Sequence, residues 1–247
     1  MTKILLIGYG NMGRVLHRLA PSMSCEIVGI VDIDTPFDAA TVPDFDVAID
    51  FTQPDAVVEN VRAICGHGKK VVIGTTGWNK RRAEVETIQH QTGTGIIVGS
   101  NFSVGVQMFF RLVREAGLMV NDLADLDVML HEWHHHRKKD SPSGTALTAA
   151  SLLLDVIDRK TYVEAETQHG TIDPSALHVS STRGGEVVGR HQLTIDGATD
   201  TIDIIHNAKS RDGFAQGALL AATWIHGKQG MYDFTDVFPD ILRSARS

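Results

Sequence analysis

Short unbroken apolar runs alternate with segments of helical spacing over the first hundred residues. Lys3–Ile7 is a continuous apolar run suited to a strand buried on both faces. Arg14–Leu19 then carries apolar residues at helical spacing. Glu26–Val31 (EIVGIV), which ends at Asp32, repeats the strand pattern, as do Val47–Phe51 (VAIDF), Lys70–Ile73 (KVVI) and Gly95–Val98 (GIIV). Gln53–Cys65 and the more polar Asn79–Gln91 fit helices between them. Repeated β-α units with buried strands predict a parallel sheet joined by right-handed crossovers.

Near Asn101 the period changes. Ser103–Val120 predicts a long helix with Phe109, Leu112, Val113 and Ala116 on one face, and Asp125–Leu130 (DLDVML) alternates at strand period. A helix is expected over Thr145–Asp158. Leu177–Thr182, Glu186–Leu193 and Thr201–His206 read as half-exposed antiparallel strands. Asp212–Gly227 returns to helical spacing, a tail expected to pack back onto the first domain. No internal repeat is evident.

A chain of 247 residues that is 43% hydrophobic can bury a substantial core in one or two domains. Its formal net charge of −7 argues against a nucleic-acid partner, and an anionic small molecule would need a locally basic pocket. Cys25 and Cys65 are too few for a disulfide framework and lack metal-ligand spacing, so they read as buried thiols in a reducing compartment. ILLIG is too short, and too soon followed by GYG, for a signal peptide. No run approaches the ~18 apolar residues of a membrane helix. The expectation is a soluble cytoplasmic protein with no membrane partner.

Gly8-Tyr9-Gly10-Asn11-Met12-Gly13 fits G-x-G-x-x-G, a weak signal alone and an informative one here. It follows a buried strand, opens a helix, and precedes Asp32 at the end of the next strand. Gly8 suits the tight turn, Gly10 the close approach of backbone to a pyrophosphate, and Gly13 the close packing of helix on strand. Free N–H groups at the helix start face the phosphates, and Asp32 accepts from a ribose diol. The carboxylate also repels a 2′-phosphate, and Ile33 follows it rather than an arginine. NADH is therefore the expected cofactor, with Arg14 leaving NADPH open. Phe51-Thr52-Gln53-Pro54, Gly74-Thr75-Thr76-Gly77 and Ser100-Asn101-Phe102 also follow strands, where doubly wound sheets bind ligands; as caps and turns they read equally well one at a time. The fold class is α/β: an N-terminal Rossmann-type parallel-sheet domain from 1–101 and 212–247, and an α+β domain, 102–211, with a mainly antiparallel sheet.

HEWHHHRKKDSPSGTA, residues 131–146, begins with the H-E-x-x-H letters of a zinc protease. Such a site needs both histidines on one helix turn, whereas Asp125–Leu130 makes the approach β. On a strand His131 and His135 stand about 13 Å apart, too far for one zinc. No metal is expected. A solvated charged loop is the plain alternative. Against it, Ser141-Pro142-Ser143-Gly144-Thr145-Ala146 opens a helix, whose N-terminus attracts anions. Histidines, Lys138 or Lys139, and a helix start read together as a pocket for a carboxylated substrate with a proton donor near neutral pH.

With those residues in view, the chain resembles the 4-hydroxy-tetrahydrodipicolinate reductase (dihydrodipicolinate reductase) family over nearly its full length. The resemblance rests on GYGNMGR, DFTQP at 50–54, GTTG at 74–77, NFSVGV at 101–106, EWHHHRKKDSPSGTA at 132–146, RGGEVVGRH at 183–191 and KSRDGFAQGA at 209–218. It implies that NAD(P)H reduces a small cyclic dicarboxylate in lysine and diaminopimelate synthesis. In that reading His134 and Lys138 are catalytic, and His135, Gly144 and Thr145 bind substrate carboxylates. Gly8–Gly13, Asp32, Gly74, Thr75, Thr76, Gly99, Ser100, Asn101, Phe102, Arg211 and Phe214 line the cofactor. It also implies a homotetramer built through the sheet of the C-terminal domain. Two departures stand out: His136 and Arg137 exchange the family's usual order, and the segment between Asp32 and Val47 is short. Aspartate or homoserine dehydrogenases leave HHHRKKDSPSGT unaccounted for, and a non-catalytic NAD sensor has no use for a lysine–histidine pocket.

Overall fold

The computed structural model describes residues 1–245. In chain order its elements are β1 (Thr2–Ile7), α1 (Asn11–Leu19), β2 (Cys25–Val31), β3 (Val47–Asp50), α2 (Val57–Gly66), β4 (Lys70–Ile73), α3 (Arg82–Thr92) and β5 (Gly95–Val98). After these come α4 (Val104–Asn121), β6 (Asp127–His134), α5 (Gly144–Leu154), β7 (Tyr162–Glu164), β8 (Ala176–Arg183), β9 (Arg190–Asp196) and β10 (Thr201–Asn207). The chain closes with α6 (Asp212–Ile225), β11 (Gly230–Asp233) and α7 (Phe234–Ser244). Two compact units emerge, Met1–Val104 together with the chain from Arg211 onward, and Gly105–Ser210.

The first unit is a parallel sheet in the order β11-β5-β4-β3-β1-β2, the Rossmann-type topology expected from the buried runs. Apolar residues on both sides of each strand allow helices on both faces. Ile4 and Leu6 of β1 face a core shared with α1, α6 and α7, while Leu5 and Ile7 face the opposite core, shared with α2 and α3. The edge strand β11 lies outside the expected elements. Its four residues, GMYD, carry no apolar run, and pairing with Gly95–Val98 makes them a strand. Small residues bring α6 close to its neighbours: Ala215, Ala218, Ala221 and Ala222 are buried, and a Cβ on Gly217 would fall 1.8 Å from the Phe102 carbonyl oxygen.

The second unit has the sheet order β10-β9-β6-β8-β7. It is mixed: β9 runs antiparallel to β6 and β10, whereas β8 runs parallel to β6 and β7. A mainly antiparallel arrangement thus describes the β6–β9–β10 part. Val128 and Leu130 of β6, with Leu177, Val179, Leu193 and Ile195, pack against Phe109, Val113, Ala149 and Leu153 of α4 and α5. The strand expected to start at Glu186 starts at Arg190. The backbone before it bonds elsewhere: His135 N donates to Val187 O and His136 N to Gly185 O, with Gly185 at φ +54. The helix expected to reach Asp158 ends at Leu154, and the short β7 was not anticipated. No helix among the described residues is long and apolar enough to cross a membrane.

Two glycine substitutions separate propensity from packing. Gly66, at the end of α2, has open space where a Cβ would go, so Gly66→Ala should stabilise by up to about 1 kcal/mol. Gly217→Ala gains the same helix propensity but drives a methyl into backbone, and overpacking of about 1–3 kcal/mol should win. Urea-unfolding midpoints of the two variants should move in opposite directions.

Candidate active site

In the first unit a tight turn carries the chain from β1 to α1. Gly8 donates to Val31 O at 2.7 Å and holds φ +89, where a Cβ would stand 2.6 Å from Phe51 O. Only glycine takes this conformation without strain. Gly13 meets the turn just as closely, since its Cβ would lie 2.5 Å from Gly8 O, while Gly10 faces open space. Asp32 is tied to this turn: its carboxylate accepts from Tyr9 N at 3.3 Å and Ile33 N at 2.9 Å. Beside the turn lies a cavity of about 550 Å³, lined by Gly8, Tyr9, Gly10, Asp32, Ile33, Phe37, Thr52, Gln53 and Asn60 among others. A smaller one of about 270 Å³ is lined by Gly10, Asn11, Met12, Phe51, Thr52, Gly74, Thr75 and Thr76. A glycine turn with backbone amides, room for a nucleotide, and a carboxylate held at the rim fit a dinucleotide.

The remaining expected cofactor residues do not line either cavity. Gly13 serves packing. Gly99 donates to Ile73 O and abuts Phe102 and Phe234, and the Asn101 side chain accepts from Ser103 N. Phe102 is 2% exposed and packs on Phe234 at 4.5 Å between ring centroids, so its side chain belongs to the core and only its backbone can meet a ligand. Ser100 is exposed. Arg211 precedes α6 and Phe214 sits in its first turn.

A residue absent from the sequence-based set organises these loops. Asp50 is fully buried at the end of β3 and accepts from Thr52 N, Thr52 Oγ1, Thr75 Oγ1 and Asn60 Nδ2 at 2.7–3.0 Å. It thereby joins the 51–53 and 74–76 segments. An aspartate inside VAIDF offers no periodic signal of this role.

In the second unit, even-numbered residues of β6 face inward, which carries Glu132 and His134 into the interior past Leu130. His131 and Trp133 face the other way: His131 bonds Ser180 and Thr182, and Trp133 stacks with Arg190. The H-E-x-x-H letters therefore form no common ligand set. His134 is 7% exposed at the strand end, and a Cβ on Gly189 would lie 3.1 Å from its Nε2. His135 follows, half-buried, with its backbone bound to Val187. Both carboxylate oxygens of Asp140 hold Lys138 Nζ, at 2.8 and 2.9 Å. Arg137 forms a bidentate pair with Glu186. Ser143 caps α5 by accepting from Ala146 N, and Gly144 and Thr145 open that helix. His134, His135, Lys138, Gly144 and Thr145 all fall in one stretch between the end of β6 and the start of α5.

The group that sequence reasoning missed here is the carboxylate at the centre. Glu132 is wholly buried; its Oε1 accepts from Arg183 Nη2 at 2.7 Å, Ser181 Oγ at 2.9 Å and Ser143 N at 2.9 Å. Its Oε2 faces His134 Nδ1 at 3.2 Å and His191 Nε2 at 3.5 Å. Burial works to raise this carboxyl group, but the neighbouring His134, His191, Ser143 and Arg183 outweigh it and hold the group far below the usual carboxylate range. Burial pushes His191 down, and burial and then His191 push His206 down, so both favour the neutral ring. Glu132, His134 and His191 do bring three potential metal-ligand atoms within 4.8 Å of one another. The guanidinium of Arg183 already neutralises the same carboxylate, which suits a proton-carrying network better than a divalent ion. Neither His191 nor Arg183 has a local signal, because β8 and β9 reach Glu132 only through sheet pairing.

Comparisons with known proteins agree across the whole chain. Residues 2–102 match the family model described as dihydrodipicolinate reductase, N-terminus, and residues 105–238 its C-terminus counterpart. The 4-hydroxy-tetrahydrodipicolinate reductase of Christiangramia forsetii is 35% identical over 241 residues, covering 98% of this chain and 99% of the relative. That of Methanoculleus marisnigri is 36% identical over 261 residues, covering 96% and 99%. Among solved structures, a dipicolinate-bound dihydrodipicolinate reductase from Paenisporosarcina sp. superposes with a TM-score of 0.76 at 21% identity, covering 96% of this chain and 99% of that one. With both family models in register and relatives matched end to end, the chain belongs to the dihydrodipicolinate reductase family of nicotinamide-dependent oxidoreductases.

Proposed function

We propose that the enzyme reduces 4-hydroxy-tetrahydrodipicolinate (dihydrodipicolinate) to tetrahydrodipicolinate in lysine and diaminopimelate synthesis, with NADH preferred to NADPH. Family membership supports the reaction, and one observation carries the site: a nearly buried imidazole, His134, ends an inward strand face just before the ammonium of Lys138 and the amide-rich start of α5. Reduced nicotinamide, when bound, supplies the hydride. His134 donates the proton the reduction also consumes, assisted by Lys138. His135, Gly144 and Thr145 hold the two carboxylates, with the α5 N-terminus favouring negative charge. The glycine turn Gly8–Gly13, Asp32, Gly74, Thr75 and Thr76, with Gly99, Ser100, Asn101, Phe102, Arg211 and Phe214, holds the cofactor. The first group has the cavities beside it in support. Residues 1–101 with 212–247 act as the dinucleotide domain and 102–211 as the substrate and oligomerisation domain.

The half-exposed outer face of the second sheet, with Met129 and Ile205 about half exposed, supports a homotetramer assembled through it. Two buried free cysteines support a cytoplasmic setting.

The deciding experiment follows NADH absorbance with substrate generated in situ by the preceding synthase, with and without a chelator. Chelator-insensitive oxidation is expected; no oxidation would end this reading. His134→Gln and Lys138→Ala should keep NADH affinity while kcat falls, by roughly 10²–10⁴-fold for His134. Unchanged kcat in either variant would remove that residue from the proton transfer.

Asp32 bears on the cofactor separately. Its carboxylate sits at the turn and repels a 2′-phosphate, so kcat/KM should favour NADH by at least about tenfold. Asp32→Ser should narrow the gap, and an NADPH advantage in the unaltered enzyme would overturn the preference.

A further inference from the structure

We propose that Glu132 is the positioning residue for His134: its Oε2 keeps the proton on Nδ1, so that Nε2 alone exchanges a proton with the substrate. The inference rests on His134 being the proton donor and adds the group that makes it one.

The geometry divides the carboxylate into two halves. Oε1 is occupied by Arg183, Ser181 and the Ser143 amide, contributions from β8 and from the start of α5. These fix the plane of the carboxylate and leave Oε2 turned toward the imidazoles. An ionised carboxylate only accepts, so its charge 3.2 Å away favours a hydrogen on the nearer ring nitrogen over a bare lone pair there. At His134 that nitrogen is Nδ1. Neutral His134 is then bare at Nε2, and cationic His134 presents an N–H there. In turnover the Nε2–H bond breaks as the substrate gains the proton, the Nδ1–H form remains, and solvent returns the proton to Nε2. An orienting carboxylate behind a catalytic imidazole works in this way in serine hydrolases.

The charges facing His134 fit the role. Glu132 is the acidic group against it; Arg183 neutralises the far oxygen of that carboxylate, and the charge of Lys138 is felt at His191. His191 lies with its ring centroid 5.2 Å from that of His134, and its Nε2 pairs with Ser143 Oγ at 3.2 Å. Burial favours its neutral form, so it does not compete as a second cation. At position 189 a Cβ would stand 3.1 Å from His134 Nε2, so the glycine leaves space beside that nitrogen. With Nδ1 beside the carboxylate, Nε2 is the nitrogen left for chemistry.

Neutron diffraction from deuterium-exchanged wild-type crystals reads the tautomer directly. A deuteron on Nδ1 of His134 is expected; a bare Nδ1 overturns the proposal. That measurement needs neither turnover nor a variant, so it decides the role of Glu132 even if the assay shows no NADH oxidation and the reductase reading falls. In solution, Glu132→Gln keeps the shape and removes the charge. Its kcat should fall about 10²-fold or more, while Kd for NADH and for dipicolinate stays within about twofold, and Glu132→Asp should recover part of the loss. Loss of kcat together with both affinities would reduce Glu132 to a structural residue, as would kcat within threefold of wild type. A wild-type kcat that collapses on chelation would make Glu132, His134 and His191 metal ligands and also overturn it. Should Glu132→Gln fail to fold, the nuclear density on wild type still decides.

Discussion

A buried carboxylate dictates the shape of the second unit around its site. Removing Glu132 from water costs several kcal/mol, and the surroundings must offset it. Arg183 supplies the opposite charge, and a hydroxyl and a backbone amide fill the remaining lone pairs of Oε1. These donors come from segments 11, 49 and 51 residues away. Satisfying one carboxylate thus requires β8 to lie beside β6 and the chain to turn into α5 beneath it. Loss of Arg183 would leave the buried Glu132 carboxylate without its cationic partner, a cost of roughly 3–5 kcal/mol. The order of this unit and the placing of a nearly buried imidazole therefore follow from the same contacts.

The first unit uses the same device with neutral donors. Asp50 gathers Thr52, Thr75 and Asn60, so two loops after neighbouring strands are held in one arrangement beside the glycine turn. Gly8 completes it by letting the Phe51 carbonyl approach within a distance that a side chain would forbid. The apolar strands beneath are buried on both faces, and the polar groups of these loops stand on that base. In both units the acceptor that organises the loops lies one layer beneath the residues offered for chemistry.

How much of this is legible before folding depends on the range of the interaction. The parallel sheet, the helices and the turn at Gly8–Gly13 follow from local periods and from steric demands within a few residues, and each appears where its pattern places it. The strand leading to His134 is equally local, and its alternation alone dissociates His131 from the inward face. By contrast, Glu186–Gly189 has the composition of a strand and becomes a loop, its Val187 carbonyl taken by His135 N and its Gly189 carbonyl by Ala208 N. Phe102 reads as a ligand neighbour from its place after β5 and turns inward onto Phe234.

From the sequence alone come the Rossmann-type half, the glycine turn with Asp32, and the run that brings His134 and Lys138 to the foot of a helix. These depend on backbone period and near-neighbour sterics. Tertiary structure decided that β11 completes the sheet, that β8 runs parallel to β6, and that Glu132 meets Arg183 and His191. Those pairings join residues about fifty or more positions apart, and a hydrogen bond between them leaves no trace in the local pattern of either partner.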